Sequence, residues 1–349
     1  MKILIAPLNW GLGHATRCIP LICQHLAAGD EVVLGGDGDS IALLRHRFPQ
    51  LRIIDLPSLE LCYTHSTTQR GFYLRAIPAL IRFTIADHYY LSQLLAREHF
   101  DMVISDNRFG FFSRDTHSVY MTHQLYVKLP KRLKIFQPFA RALHAYIYKR
   151  YNEVWVPDYN HPTDNLAGAL AHGGRFDQYA HYIGPLSRFA INNQLPIVNN
   201  PSTTINNPLP ITNLAILSGL EPQRTLFEKE LVEHFRHTDT PTLIIRGKIG
   251  GPATATHIGS VTLLPYISDD QLLPLMQQAK KIIVRSGYST IMDLAVLGML
   301  NKAEFHPTPG QSEQEYLAQV LMHRLSSFST ICHSEDNSCA TTNNIATSK

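Results

Sequence analysis

The sequence has few cysteines and no long apolar run, and both absences narrow the class of protein. Its five cysteines among 349 residues form no CxxC pair, which argues against a disulfide framework or a zinc site. No apolar stretch approaches the roughly 20 residues of a membrane-spanning helix. The N-terminal run KILIA (2–6) is typical of a first strand rather than a signal peptide. We therefore expect a reduced, cytoplasmic protein.

The chain also has no large excess of positive or negative charge. Charged residues make up 17% of the chain and the net charge is +3, which is too mild to indicate a nucleic-acid binder. One stretch, YVKLPKRLKIFQPFARALHAYIYKRY at 126–151, combines basic residues with apolar ones at helical spacing. Such a face can lie on anionic lipid as a peripheral membrane contact, or it can be an ordinary helix with a solvated edge. The sequence leaves both alternatives open.

Short apolar runs alternate with helical patterns in both halves of the chain, which predicts an α/β protein with two Rossmann-like domains. Helices are expected at 16–28, where Pro20 is tolerable if it falls in the first turn, and at 222–236. Strands are expected at 2–6, 31–36, 52–56, 101–106, 119–123 and 153–158, then at 213–219, 242–247, 261–266, 281–287 and 303–307.

The alternation of strand and helix patterns is interrupted by a stretch rich in asparagine, proline and threonine, which predicts a linker. The last twenty residues have neither periodicity nor an apolar face and are expected to be disordered. The predicted organisation is an N-terminal domain at 1–186, a linker at 187–212, a C-terminal domain at 213–329 and a tail at 330–349.

Small polar residues mark the start of one helix in the second half. RSGYSTIMDLA (285–295) follows an apolar strand, and the free N–H groups of such a helix start bind anions. The turn can therefore bind phosphate, with Asp293 accepting hydrogen bonds from a ribose, or it can be an ordinary capped helix. Its residues are Arg285, Ser286, Gly287, Ser289 and Thr290.

A second turn of this kind, LSGLEPQRT at 217–225, favours the first alternative. Gly219 permits close backbone approach, and Arg224 lies in the first turn of a helix, where a basic residue is unfavourable unless an anion is near. A solvated arginine remains the alternative. Two phosphate-compatible turns in one domain predict a nucleotide site.

These residues carry a resemblance to a known family. RSGYSTIMDLAVLG and HPTPGQSEQEYLA (306–318) resemble the C-terminal domain of glycosyltransferase family 28, and GLGHATR and ISDNRFG extend the likeness weakly into the first half. The resemblance implies the GT-B fold, in which two Rossmann-like domains face each other across a cleft. It also implies transfer of a sugar, with inversion, from a UDP-sugar to an acceptor hydroxyl that can be lipid-linked.

The same resemblance implies roles for particular residues on the donor side. Ser286 and Gly287 would hold the diphosphate, Asp293 the ribose, and the backbone at Tyr266 and Ile267 the uracil. Arg246 ends a strand at the edge where the site is expected. The loop that meets the donor sugar would contain Pro309, Gly310, Gln311 and Gln314.

The N-terminal turn NWGLGHATR (9–17) is expected to serve the acceptor. Threonine replaces the third glycine of a dinucleotide fingerprint, so a nicotinamide cofactor is not expected. By resemblance His14 would be the general base, with Asp106 orienting its ring. The alternative is that His14 only hydrogen-bonds to its turn. The remaining residues predicted for this loop are Gly11, Gly13 and Arg17.

No cofactor other than the nucleotide-sugar substrate is expected, and no metal. DGD (37–39) has the letters of a metal-binding Asp-x-Asp motif but follows an N-terminal strand, which favours a plain turn. Two rival functions stay open at this point. A nucleotide-sugar epimerase would bind the same donor without an acceptor, and a non-catalytic partner of a membrane-bound transferase could share the fold.

Overall fold

The structure, a computed structural model, describes residues 1–59, 70–129, 131–190, 211–248 and 254–324. Most of the predicted linker and the predicted tail at 330–349 lie outside these residues. Within the described part, the chain forms two α/β halves, each built on its own sheet.

The N-terminal half contains a parallel sheet of seven strands in the order β3-β2-β1-β4-β5-β6-β7. The order reverses between β1 and β4, so a crevice opens beyond their carboxyl ends. The strands are β1 (Lys2–Pro7), β2 (Glu31–Gly36), β3 (Arg52–Asp55), β4 (Met102–Asp106), β5 (His117–Met121), β6 (Glu153–Val156) and β7 (Ala180–Tyr182).

Four α-helices cover this sheet: α1 (Leu12–Ala27), α2 (Gly38–Arg47), α3 (Arg70–Leu95) and α4 (Gln137–Tyr148), the last preceded by a 3₁₀ turn (Lys131–Phe136). Parallel crossovers are right-handed, so α1 and α2 lie on one face and α3 and α4 on the other. The packing agrees, because Ile19 joins Ile3 and Ile5 in one core while Leu91 joins Leu4 and Val103 in another.

The predicted start of the first helix is wrong. The helix begins at Leu12 rather than at residue 16, so Pro20 lies in its interior and not in its first turn. Proline there removes one main-chain hydrogen bond, which the burial of the surrounding turn offsets. The earlier start places His14 on the helix instead of in a loop, one turn before Arg17.

The C-terminal half contains a six-stranded sheet in the order β10-β11-β9-β8-β12-β13, in which only β10 is antiparallel to its neighbour. The strands are β8 (Asn213–Ile216), β9 (Thr242–Ile245), β10 (Thr256–Ile258), β11 (Val261–Leu264), β12 (Lys281–Val284) and β13 (Ala303–Phe305). Its helices are α5 (Gln223–Phe235), α6 (Asp269–Gln278), α7 (Tyr288–Val296) and a helix at 312–324. The predicted α/β class with two Rossmann-like halves is confirmed.

The two halves share a hydrophobic cluster. Ile291 of α7 and Leu317 and Leu321 of the helix at 312–324 pack with Tyr120 and Leu125 of the N-terminal half. This cluster fixes the distance between the carboxyl edges of the two sheets. Among the described residues, no helix is both long and apolar enough to span a membrane.

Candidate active site

The cleft lies where the carboxyl ends of the two sheets face each other. The Ser289 hydroxyl at the start of α7 donates a hydrogen bond of 2.7 Å to the Gly13 carbonyl at the start of α1. A β-carbon on Gly11 would lie 3.6 Å from the Gly219 α-carbon, and Gly11 and Gly219 both have positive φ. The three glycine turns that the sequence singled out therefore meet at one place.

The acceptor side of this cleft contains a buried ionic group. His14 Nδ1 lies 3.1 Å from Asp106 Oδ2, and the His14 side chain is 13% exposed while Asp106 is fully buried. The Arg17 guanidinium pairs with both Asp106 oxygens, and its Nε donates over 2.8 Å. Because Asp106 ends β4 and Arg17 lies on the buried face of α1, the packing of helix on sheet fixes this geometry.

The electrostatics of the group keep Asp106 ionised and His14 neutral. Burial alone would raise the pKa of Asp106, but Arg17 and His14 hold it well below its usual range. Burial lowers the pKa of His14, and Asp106 opposes this shift only in part. A neutral imidazole can accept a proton, so the ring is in the state that a general base needs.

Two hydrogen-bond patterns compete for Nδ1 of His14. Arg17 Nη2 lies 2.9 Å from it and can only donate, whereas Asp106 Oδ2 can only accept. When Nδ1 carries the proton it donates to Asp106, and the lone pair of Nε2 is free. When Nδ1 accepts from Arg17, Nε2 carries the proton instead. Only the first tautomer can act as a base.

Two residues that sequence reasoning missed extend this group across the cleft. Arg17 Nη1 lies 2.9 Å from His123 Nδ1, and His123 Nε2 lies 2.7 Å from Glu313 Oε1. The His123 ring also stacks on Tyr288 at 4.3 Å. His123 follows β5 at the carboxyl edge of the sheet, a signal that could have pointed to it. No comparable signal marks Glu313, which lies beside Gln314.

The predicted diphosphate turn forms the other wall of the cleft. Gly287 is the residue before α7, with φ −74°, and a β-carbon built on it would meet nothing within 4 Å. Ser286 is fully buried and donates to the Gln314 carbonyl over 2.8 Å, while Thr290 lies in the first turn of α7. The open space above Gly287 and the free N–H groups of α7 could accommodate a phosphate.

Asp293, in the second turn of α7, pairs with residues of the predicted linker. One of its oxygens accepts a hydrogen bond of 2.7 Å from Ser187, and the other lies 3.3 Å from Arg188 Nε. Burial, opposed by Arg188, raises its pKa to about 6. Ser187 and Arg188 belong to the predicted linker, so Asp293 anchors that segment in this arrangement. Its binding to a ribose stays a prediction.

The three arginines predicted on the donor side all have partners within the protein. Arg224 bonds to Glu221 and to the Gly247 carbonyl, and Arg246 forms a two-bond ion pair with Glu228. Arg285 is buried, donates to main-chain carbonyls that include His306, and covers the Phe227 ring at 3.9 Å. Burial lowers the pKa of Arg285 to about 10. The Glu221 carboxylate and the Gly247 carbonyl satisfy Arg224 without a phosphate, so its role toward phosphate remains a prediction.

The predicted base and sugar segments border the same cleft. Tyr266 and Ile267 follow β11, and Tyr266 packs edge-on against His46 of α2 with ring centres 6.1 Å apart. Burial raises the pKa of Tyr266 to about 12. The Gln314 side-chain oxygen accepts from the Thr308 N–H over 2.8 Å, which ties it to the predicted sugar loop. That loop, between β13 and the helix at 312–324, contains Pro309, Gly310 and Gln311.

Comparison with known proteins supports the same architecture. The chain matches no protein-family model. Over 95% of its length it is 22% identical to a protein of Methanosarcina mazei and 23% identical to one of Methanosarcina acetivorans, both named uncharacterized glycosyltransferase, and it covers 86% of each. Among solved structures, the glycotransferase of kitacinnamycin superposes with a TM-score of 0.54 at 14% identity, covering 93% of this chain and 90% of that one. The calicheamicin glycosyltransferase superposes with 0.52 at 10%, covering 98% and 99%.

The chain has the GT-B fold. The predicted architecture, two Rossmann-like domains facing each other across a cleft, is therefore confirmed, and the chain is similar to glycosyltransferases along nearly its whole length. Because no family model matches, the narrower assignment to family 28 stays a prediction.

The residues of the Asp-x-Asp sequence in this GT-B chain, Asp37 to Asp39, form structural contacts at the start of α2. Asp37 precedes α2 and is buried, and it accepts hydrogen bonds from Asn9, Ser58 and Arg108. Gly38 and Asp39 form the first turn of α2, where a plain turn was predicted. In the ranges that the structure describes, no cluster of three metal-ligating side chains occurs.

One face of the N-terminal domain of this GT-B chain exposes large apolar side chains. On α3 they recur at every fourth position, and Ile85 is 64% exposed. On the 3₁₀ turn and α4, Ile135 is 82% and Phe139 70% exposed. Both helices start at the cleft end of the sheet. The members of this apolar face are Ile77, Ile81, Ile85, Tyr89, Ile135, Phe136, Phe139, Leu143 and Tyr146.

Proposed function

We propose that the protein is an inverting, metal-independent glycosyltransferase that moves a hexose from a UDP-sugar to the hydroxyl of a lipid-linked acceptor. The observation that carries this proposal is the pair formed by His14 of α1 and Asp106 of β4, next to the Gly13 carbonyl that accepts a hydrogen bond from Ser289 of α7. The names of the relatives, uncharacterized glycosyltransferase, support the reaction class.

The donor would bind on the C-terminal side of the cleft. The diphosphate lies at the start of α7, above Gly287, where unpaired N–H groups and the helix dipole favour negative charge. The main chain at Tyr266 and Ile267 holds the uracil, and the loop at 306–311 with Gln314 holds the sugar. These positions end three strands of one parallel sheet, where GT-B and other open α/β sheets bind ligands.

The chemical step needs a base and a stabilised leaving group. His14 Nε2 takes the proton of the acceptor hydroxyl, whose oxygen forms a bond to the anomeric carbon. The bond from that carbon to the diphosphate oxygen breaks, and UDP leaves with the electron pair. Asp106 stabilises the resulting imidazolium, and the start of α7 stabilises the charge that develops on the diphosphate. Attack from the side opposite the leaving group inverts the anomeric centre.

The lipid carrier of the acceptor would approach along the exposed apolar face. Apolar residues of α3 and α4 can enter the headgroup region, and Lys134 and Arg141 lie on the same segment as Ile135 and Phe139. A protein held in this way presents its cleft to a membrane-bound acceptor. Peripheral contact at a membrane surface is therefore part of the proposal.

The experiment that tests the donor site is calorimetric titration of the full chain with UDP, GDP and dTDP. We expect selective binding of UDP that weakens about tenfold or more in Asp293→Ala, because the carboxylate would accept hydrogen bonds from the ribose. Ser187→Ala is the matched control, because it frees one Asp293 oxygen and leaves the carboxylate in place. Absence of binding to all three nucleotides would contradict the proposal.

A further inference from the structure

Glu313 is the residue through which the C-terminal domain reaches the buried group around His14. It lies in the first turn of the helix at 312–324, and its side chain is 31% exposed at the edge of the cleft. One oxygen lies 2.7 Å from His123 Nε2, and the other accepts from the Gln124 amide. Both partners belong to the N-terminal domain.

The hydrogen-bond directions along this connection are determined by Arg17. A guanidinium only donates, so His123 Nδ1 must accept from Arg17 Nη1 at 2.9 Å. The proton of a neutral His123 ring is then on Nε2 and is donated to Glu313. Both Glu313 oxygens then accept hydrogen bonds, as an ionised carboxylate does, and His123, His14 and Arg17 lower the pKa of Glu313 although burial opposes them.

The connection continues to the predicted base. Arg17, whose Nη1 is bonded to His123, uses Nε and Nη2 to hold Asp106, and Asp106 in turn lies against His14. Arg17 is 1% exposed, and its guanidinium contacts Asp106 and His123 at the same time. Tyr288 supports the arrangement from α7, since its ring stacks on His123 and its hydroxyl donates to the Pro157 carbonyl over 2.9 Å.

We propose that Glu313 is a positioning residue that links the closed arrangement of the two domains to the orientation of the His14–Asp106 pair. The inference rests on the proposed function. With the domains in contact, Glu313 holds His123, His123 holds Arg17, and Arg17 is drawn toward Asp106. Asp106 is then placed to accept from Nδ1 of His14, which leaves Nε2 free. If the domains separate, His123 loses its contact with the Glu313 carboxylate, and Arg17 is then held less firmly by His123.

Removing the Glu313 charge should also change the titration of His14. The ionisable groups that face this ring or are connected to it are Arg17 and Cys18 on α1, Asp106 on β4, His123 after β5, Tyr288 on α7 and Glu313. Loss of one anion among them destabilises the imidazolium of His14. The acid limb of the kcat profile should therefore move to lower pH.

The test compares Glu313→Ala, Glu313→Gln and the control Glu233→Gln, an exposed acid on α5. We expect Glu313→Ala to lower kcat about tenfold or more while the KM for the donor changes less than about twofold. Glutamine can still accept from His123, so Glu313→Gln should restore part of kcat. In both variants the acid limb of the kcat profile should move to lower pH.

A readout independent of turnover accompanies these rates. Amide hydrogen exchange of the UDP-loaded full chain should increase at residues 12–18 in Glu313→Ala and stay unchanged in the control. Unaltered exchange there, or an unaltered kcat and acid limb, would overturn the link. A wild-type chain that binds UDP-sugar and transfers nothing would overturn the proposed function instead, and the exchange at 12–18 would still decide whether Glu313 orders the α1 turn.

Discussion

At the scale of single residues, His14 has to be neutral before it can take a proton from an acceptor hydroxyl. Burial lowers its pKa from the ordinary 6.5, and Asp106 limits that decrease. Activity should therefore be present above the lowered pKa and be lost as the pH falls through it. We expect the acid limb of kcat/KM to have its midpoint below pH 6.5. A midpoint above that value would show that another group titrates.

Substitution of the same residue tests its role directly. His14→Ala should reduce kcat by about 10²–10⁴-fold, the usual contribution of a positioned acid or base, because the acceptor hydroxyl loses its proton acceptor. The Kd for UDP should be unchanged, since His14 lies on the opposite wall of the cleft. His99→Ala, at an exposed histidine of the same domain, is the matched control. Full turnover in His14→Ala would remove it from catalysis.

The sequence pointed to some of these residues because they occupy standard positions in an α/β fold. His14 follows the first strand and Asp106 ends the fourth, so their meeting at the sheet edge could be predicted from strand order. Arg188 could not be predicted as a partner of Asp293, because residues 105 positions apart are brought together only by tertiary packing. Glu313 was missed for the same reason: its partners lie in the other domain.

At the scale of helices and strands, the start of α7 is the element that would bind the diphosphate. Alanine at Gly287 fits the backbone, since φ is −74° and nothing lies within 4 Å of the added carbon. Gly287→Ala should therefore leave the melting temperature nearly unchanged. If a phosphate occupies that space, the same methyl group should weaken UDP binding about tenfold or more in calorimetry. Unchanged affinity would place the diphosphate elsewhere.

The exposed apolar face of α3 and α4 makes a second prediction at this scale. The wild-type chain should bind anionic vesicles more tightly than neutral ones, because basic residues accompany the apolar ones. Phe139→Asp combined with Leu143→Asp should weaken that binding about tenfold or more in a vesicle sedimentation assay, since two exposed anchors are lost. Leu226→Asp on α5 is the control. Equal binding to both vesicle types would contradict a membrane role.

Element boundaries show where periodicity ceases to be informative. The α5 prediction at 222–236 was nearly right because a helix of 13 residues repeats its apolar face several times. β7 and β10 contain three residues each, too few to show alternation, and neither was predicted. The start of α1 was misplaced because the glycines of the turn at 9–17 suggested a loop, whereas the helix already begins at Leu12.

At the scale of the whole molecule, the closed cleft depends on apolar packing as much as on polar contacts. Leu317, Ile291 and Met292 are fully buried against side chains of the N-terminal half, among them Leu170. Tyr316 adds a polar contact, because its hydroxyl accepts from the Ala169 N–H over 2.7 Å. Two domains that share a core should unfold together, so the chain should show one calorimetric transition.

Leu317→Ala tests this coupling. Truncating a fully buried leucine costs about 2–5 kcal/mol, and here the cavity would open between the domains. We expect the single calorimetric transition to separate into two and kcat to fall, while UDP still binds the C-terminal half. Leu275→Ala, in a core made by the C-terminal half alone, is the control. Leu275→Ala should lower the free energy of unfolding by a similar amount, but the shared core stays intact, so the two domains should still unfold in one transition. A single, merely shifted transition in Leu317→Ala would mean that the polar contacts of Glu313, Ser289 and Tyr316 are sufficient to hold the cleft closed.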